Sequence, residues 1–226
     1  MLARGDFKVF HEPFSYLYYI HENRGSIPQE YADPDHPQSY SAIKQMLLAA
    51  AETQRVFFKD MAAHCASRLL ADGPLIDRLN NTFLIRDPAK TIPSFYALNP
   101  DVTLSEIGCV QLQKLFELVK SKGLQPPVVV DADDLEENPQ GILAEYCRRL
   151  DIEILPTAQN WKPGMPDEWK MWRNWHLEAA GSTGIRKNRT IYDITVDNSD
   201  HLKRCCEHHL PFYRAMHRHR IRAAGN

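Results

Sequence analysis

The sequence predicts an α/β fold built on a doubly wound parallel sheet, and three observations predict it. Four short apolar runs have strand length: Phe7–Phe10 (FKVF), Arg55–Lys59 (RVFFK), Thr82–Ile85 (TFLI) and Pro127–Asp131 (PVVVD). Segments of helical period alternate with them, the pattern of parallel strands joined by helical crossovers. The last run is continuously apolar, as in a strand covered on both faces.

Taken in order, FKVF alternates and carries aromatic residues, as a first strand should. His11-Glu12-Pro13-Phe14 follows, and Pro13 pushes Glu12 out of helical geometry. His11 and Glu12 thus stand at a strand's carboxyl end, where open α/β sheets bind ligands. Phe14, Tyr16, Tyr18 and Tyr19 come next. They read as core and rim packing, with one or two, Tyr16 first, able to line an acceptor pocket. Residues 23–40 are rich in Pro, Asp, Ser and Gln and read as a long loop. Ser41–Glu52 is an amphipathic helix with Ile43, Leu47 and Leu48 on one face. The second strand ends in Lys59 and Asp60, and a helix over Met61–Leu70 closes at Asp72-Gly73-Pro74.

The third strand, Thr82–Ile85, runs into Arg86-Asp87-Pro88. Asp87 can cap and Pro88 can open a helix that extends to about Leu98 and contains Pro93. Thr103-Leu104-Ser105-Glu106 is a capping box that starts a helix to about Lys120. Asn138-Pro139 opens another, with Ile142, Leu143, Tyr146, Cys147 and Leu150 toward the core. All four tryptophans lie in Trp161–Trp175, with Trp172 and Trp175 expected on one helix face in the core. The last helix, about Ser199–Arg222, carries Cys205, Cys206, His208, His209, His217 and His219. Cys205 and His209 have the i, i+4 spacing of a chelating pair, but no second ligand pair accompanies them, so the helix reads as a polar surface element.

The chain has 226 residues, 43% of them hydrophobic, and a net charge of −2. That suits one domain over residues 1–226 and no strong field for nucleic acid or an anionic membrane. The five cysteines have irregular spacing and no CxxC pair, which suits reduced thiols in the cytoplasm. No stretch approaches the about 20 apolar residues that span a bilayer.

The strand–Arg–Asp–Pro–helix junction, with Ser94 eight residues after Arg86, resembles the 3′-phosphate-binding segment of sulfotransferases that use 3′-phosphoadenosine 5′-phosphosulfate (PAPS). VVVDADDLEENP and GILAEYCRRLDI resemble that family's following strand, acidic segment and hydrophobic helix. The resemblance implies a three-layer, P-loop kinase-like arrangement with a central parallel sheet. It implies PAPS as co-substrate, no required metal, and a small-molecule acceptor carrying a hydroxyl or amine. By the same resemblance Arg86 and Ser94 bind the 3′-phosphate. Gly184, Arg186 and Lys187 in GSTGIRKNRT stand where the family carries a basic, glycine-containing loop that closes over it; Lys does not precede Gly here.

Glu12 is the first choice for the base that takes the acceptor proton, because carbohydrate-type members of the family use a glutamate in a similar Glu-Pro context. His11 is the second. Lys59 either contacts the sulfuryl oxygens or pairs with Asp60. The phosphate loop that should precede the first strand is not found, so by resemblance the chain starts after the family's first strand, that loop and most of the first helix. Two other readings stay open: a catalytically inactive remnant or binding protein, and a P-loop kinase relative in which VVVDADD supplies a magnesium ligand. The oligomeric state is left open.

Overall fold

A computed structural model describes residues 1–24, 31–187 and 190–224. The strands are β1 (Lys8–His11), β2 (Val56–Lys59), β3 (Thr82–Ile85) and β4 (Val128–Asp131). The helices are α1 (Tyr40–Ala51), α2 (Ala62–Leu69), α3 (Gly73–Ile76), α4 (Pro88–Leu98), α5 (Leu104–Ile107), α6 (Cys109–Lys122), α7 (Ala132–Glu137), α8 (Pro139–Leu150), α9 (Leu177–Ala180) and α10 (Asp200–His217). A π-helical turn spans Tyr16–His21 and a 3-10 segment spans Asp167–Trp175. The chain divides into two compact units, residues 1–65 with 155–184, and residues 66–154 with 185–226.

The first unit contains one parallel pair. β1 runs beside β2 with Lys8 opposite Val56 and His11 opposite Lys59. The crossover is α1, capped by Ser39, whose hydroxyl accepts from Ala42 N at 3.3 Å. Phe14, Leu17 and Ile43 are fully buried in this unit, each stabilising it by about 1.5–3 kcal/mol relative to exposure. Tyr16, Met171 and Trp172 form a separate buried cluster.

The second unit contains the other parallel pair, with Thr82 opposite Val128 and Ile85 opposite Asp131. After α10 the chain returns along β4, where Ile221 N donates to Val129 O at 2.8 Å. Ile92, Val102, Ile107, Leu202 and Cys205 form one core cluster, and Val128, Val130, Ile142, Ile221 and Ala223 another.

The parallel α/β class stands, but the four strands form two two-stranded sheets where one sheet is expected. β1 and β2 are joined through α1, and β3 and β4 through α4, α5 and α6. The helix expected from Thr103 to Lys120 is interrupted at Gly108, whose φ of +78° only glycine adopts without strain. Trp172 is buried, whereas Trp175 is 39% exposed. The expected common face fails because the 3-10 segment loses helical backbone at Trp172 (φ −111°, ψ 27°). The inner face of α10 is also not polar surface: Leu202, Cys205, His209 and Met216 are buried there. Of the loop expected over 23–40, residues 25–30 lie outside the described residues; of the basic loop 181–190, so do 188 and 189.

Candidate functional site

The carboxyl ends of β1 and β2 bring together three of the residues singled out in the sequence. The register sets His11 beside Lys59, and the next residue, Glu12, turns back with a φ of +51°. A left-handed backbone at a non-glycine residue costs about 1–3 kcal/mol and persists only where its surroundings enforce it. Pro13 bars the right-handed helical alternative. Glu12 N donates to Lys59 O at 2.6 Å, and Glu12 O accepts from Ser15 N at 3.0 Å and from Ser15 Oγ at 2.6 Å. Asp60 completes the turn, accepting from Phe14 N at 2.6 Å and from Met61 N and His64 Nδ1 at 2.8 Å each.

The Glu12 side chain is buried and pairs with the Lys59 ammonium. Of the two roles open to Lys59 in the sequence, the pairing with Asp60 is therefore not made; Asp60 binds His64 instead, and Lys59 pairs with Glu12 and also reaches Met61 Sδ at 3.5 Å. Burial by itself would raise the Glu12 carboxyl's pKa. The Lys59 and His11 charges and the Lys59 hydrogen bond outweigh burial, so the net shift is downward.

His11 Nε2 lies 3.7 Å from Glu12 Oε1 and 2.9 Å from His176 Nε2. Burial pushes the His11 pKa down to about 4; Glu12 opposes this, while Lys59 and His176 reinforce it. Burial likewise lowers His176, against the pull of Glu12. Both imidazoles are therefore neutral near pH 7, and one Nε2–H donates to the other ring's Nε2. Trp169 packs against the pair, with its ring 4.9 Å from that of His176 and 6.3 Å from that of His11. Sequence reasoning missed His176. It caps the end of the 3-10 segment and meets His11 across 165 residues, and no local pattern marks it.

Tyr16 sits in the core of the same unit. Its hydroxyl accepts from Asp33 N at 2.8 Å, and its ring stacks on His36 at 3.8 Å. Burial raises its pKa.

The second unit holds Arg86 and Ser94. Arg86 follows β3 directly, and α4 begins as its sequence demands, with Pro88 in the first turn and Asp87 accepting from Ala89 N at 2.9 Å. One Arg86 terminal nitrogen lies 3.3 Å from Glu136 Oε1. Its Nε is buried and, among the described residues, has no hydrogen-bond partner. An orphaned guanidinium N–H at a strand-to-helix junction calls for an anionic acceptor. Ser94 Oγ accepts from Tyr192 Oη at 2.9 Å, a contact not foreseen from sequence. Asp131, the residue a kinase reading would use for magnesium, accepts from Asp133 N, Asp134 N and Tyr213 Oη at 3.0–3.2 Å as the cap of α7.

Gly184 lies in the first unit, bridged to Asn160, where a Cβ would stand only 3.2 Å from the Gln159 carbonyl oxygen. Arg186 and Lys187 lie in the second unit and are exposed.

A family model described as "Sulfotransferase domain" matches residues 1–220. The chain belongs to this sulfotransferase family. Two curated relatives from Arabidopsis thaliana also match. The sulfotransferase domain is 30% identical over 149 residues to branched-chain-amino-acid aminotransferase-like protein 1, and 27% identical over 155 residues to branched-chain-amino-acid aminotransferase-like protein 2. These alignments cover 64% and 68% of this chain but only 25% and 26% of the relatives, so the chain spans about a quarter of their length. No solved structure matches. Among the described residues, no helix of the domain is long and apolar enough to cross a membrane.

Proposed function

We propose that this sulfotransferase domain transfers a sulfuryl group from PAPS to a hydroxyl or amine of a small-molecule acceptor. The observation that carries the reading is Arg86. Its buried Nε has no partner among the described residues, in a family member whose matching segment resembles a 3′-phosphate site. PAPS, when bound, supplies the sulfuryl group. Arg86 donates to its 3′-phosphate, Ser94 exchanges the Tyr192 hydrogen bond for one to the same phosphate, and Gly184, Arg186 and Lys187 belong to the covering loop. Glu12 takes the acceptor proton, a role its ionised state suits, with His11 as the second candidate. Lys59 keeps Glu12 ionised and supplies positive charge for the transferred group. Tyr16 supports the acceptor side through the packing around it. A three-layer, P-loop kinase-like arrangement in a single domain over residues 1–226 belongs to the same proposal, with the strands in two parallel pairs and not one continuous sheet. A cytoplasmic setting belongs to the same proposal, on the irregular spacing of the five cysteines.

Calorimetry with adenosine 3′,5′-bisphosphate tests the nucleotide site. Binding without magnesium is expected, weakened by about 10- to 150-fold in Arg86→Ala, the equivalent of a charge-assisted contact of about 1.5–3 kcal/mol. Unchanged affinity in the variant refutes the site. Radiolabelled PAPS offered with a panel of alcohols, sugars and amines then reads the transfer itself. Nucleotide binding with no transfer favours a binding protein. Magnesium-dependent binding of a nucleoside triphosphate favours the kinase relative.

A further inference from the structure

Two imidazoles and a carboxylate converge at the end of β1. We infer that His11, Glu12 and His176 form a site for a divalent transition-metal ion such as Zn²⁺ or Co²⁺. One donor atom from each lies within 4.8 Å of the other two. A tetrahedral centre with bonds of about 2.0–2.1 Å holds neighbouring ligand atoms about 3.3 Å apart. Two of the three edges bracket that spacing, with 2.9 Å between the two Nε2 atoms and 3.7 Å from His11 Nε2 to Glu12 Oε1, and the third, His176 to Glu12, is within 4.8 Å. An ion seats between them with small side-chain adjustments. Nitrogen and carboxylate donors suit zinc and cobalt, whereas magnesium and calcium take oxygen ligands. Three protein ligands leave a fourth position open, the pattern of reactive and regulatory zinc centres more than of closed structural ones.

The ligands are held before any ion arrives. His11 is fixed in the β1–β2 ladder, Glu12 in its left-handed turn, and the His176 ring against Trp169. Without metal, one ring donates its Nε2–H to the other. Binding moves that proton to the same ring's Nδ1, so both Nε2 lone pairs face the ion and no net proton is released. The dication also replaces the Lys59 ammonium at Glu12. Lys59 can yield its place because its side chain is 39% exposed and extends readily into solvent. If Glu12 is the base of the proposed transfer reaction, a bound ion removes it from use and inhibits. That consequence rests on the proposed function, whereas the metal site does not.

The test is titration of the full chain with Co²⁺, followed by Zn²⁺ displacement in competition with a chromophoric chelator. Binding of one Co²⁺ per chain with the intense visible bands of four-coordination is expected, together with a Zn²⁺-dependent rise in Tm. His11→Asn and His176→Asn should each weaken binding by at least about tenfold and abolish the Tm rise. Cys205→Ser should change neither. It controls for α10, where Cys205 Sγ lies 4.0 Å from His201 Nε2, not paired with His209 as its spacing suggests. Should one histidine variant fail to fold, the other and the wild-type Co²⁺ spectrum decide. Absence of stoichiometric binding, six-coordinate Co²⁺, or binding lost only in Cys205→Ser overturns the site. Where transfer activity is detected, Zn²⁺ should suppress it at least about tenfold and a chelator restore it. Stoichiometric binding at these three ligands without suppression keeps the metal site and refutes Glu12 as the base.

Discussion

Replacing His209 by leucine should stabilise the protein and remove part of its acid sensitivity. His209 is fully buried on α10, and among the described residues neither ring nitrogen has a hydrogen bond of good geometry, the Leu104 backbone offering only a poorly aligned one. Burial and the neighbouring His208 push its pKa from 6.5 down to about 4, with the Leu104 backbone pulling the other way. Between those values the unfolded chain binds more protons than the folded one, so stability falls as pH drops through the window. Crossing the window completely costs about 3 kcal/mol, and the step from pH 7 to pH 5 costs about 2 kcal/mol. At pH 7 the gain comes from removing a buried polar ring nitrogen without a good partner, worth about 1–3 kcal/mol. Imperfect repacking of leucine returns up to about 1.5 kcal/mol. A net gain of about 1 kcal/mol at pH 7 is expected, and about 3 kcal/mol at pH 5. Urea unfolding of both proteins at the two pH values reads it. Other histidines titrate in both chains, so the difference between wild type and variant isolates His209. A variant less stable at pH 7 with an unchanged pH 5–7 slope would show that His209 makes a bond that the buried geometry denies.

Two further perturbations address the end of β1. Lys59→Met removes the main charge that opposes burial at Glu12, so the Glu12 pKa should rise. In wild type the lowered Glu12 pKa adds stability above the ordinary carboxylate range that is lost as pH falls; in the variant this contribution reverses. The acid limb of the kcat/KM profile for sulfuryl transfer should move to higher pH, and an unmoved limb would separate Glu12 from the chemistry. Asp60→Ala strips the acceptor from Phe14 N, Met61 N and His64 Nδ1 at once, in a side chain only 3% exposed. It should cost about 3–5 kcal/mol in urea unfolding, with water rescuing part of the loss; a cost under about 1 kcal/mol would mean the turn is held by other contacts.

What was legible in the sequence was local. Asp87-Pro88 fixed the start of α4, and Asn138-Pro139 that of α8, because cap chemistry acts within one turn. Glu106 accepts from Thr103 N at 2.7 Å, as the capping box requires. The break at Gly108 escaped because the apolar period continues on both sides of it. The remainder is long-range. Whether four strands make one sheet or two pairs depends on partners far apart in the chain, and the period of each strand is the same either way. The Lys59–Glu12 pair follows from a register that periodicity does not encode. His176 is invisible from its own neighbourhood, since its partner lies on the first strand.

The departures from local rules are unevenly distributed. At residues 11 and 12 the chain holds a left-handed glutamate, a buried carboxylate, and an imidazole kept neutral well below its ordinary range, with a second lowered imidazole against it. The left-handed backbone opposes stability at any pH, by about 1–3 kcal/mol, and the two lowered imidazoles oppose it as pH falls. The turn that enforces them is closed by short hydrogen bonds from Phe14 and Ser15, and by Asp60, a carboxylate whose own burial raises its pKa. A chain selected only to fold would have no reason to keep this arrangement, because an extended residue 12 and an apolar residue 11 would serve the ladder better. Arg86 shows the complementary case. Its local structure obeys the cap rules, yet its buried Nε has no partner among the described residues. Strain with all groups satisfied fits a preorganised reactive side chain, and an unstrained junction with a group unsatisfied fits a site waiting for a ligand. The two ends of the proposed reaction, proton removal and phosphate recognition, need those two different kinds of local defect.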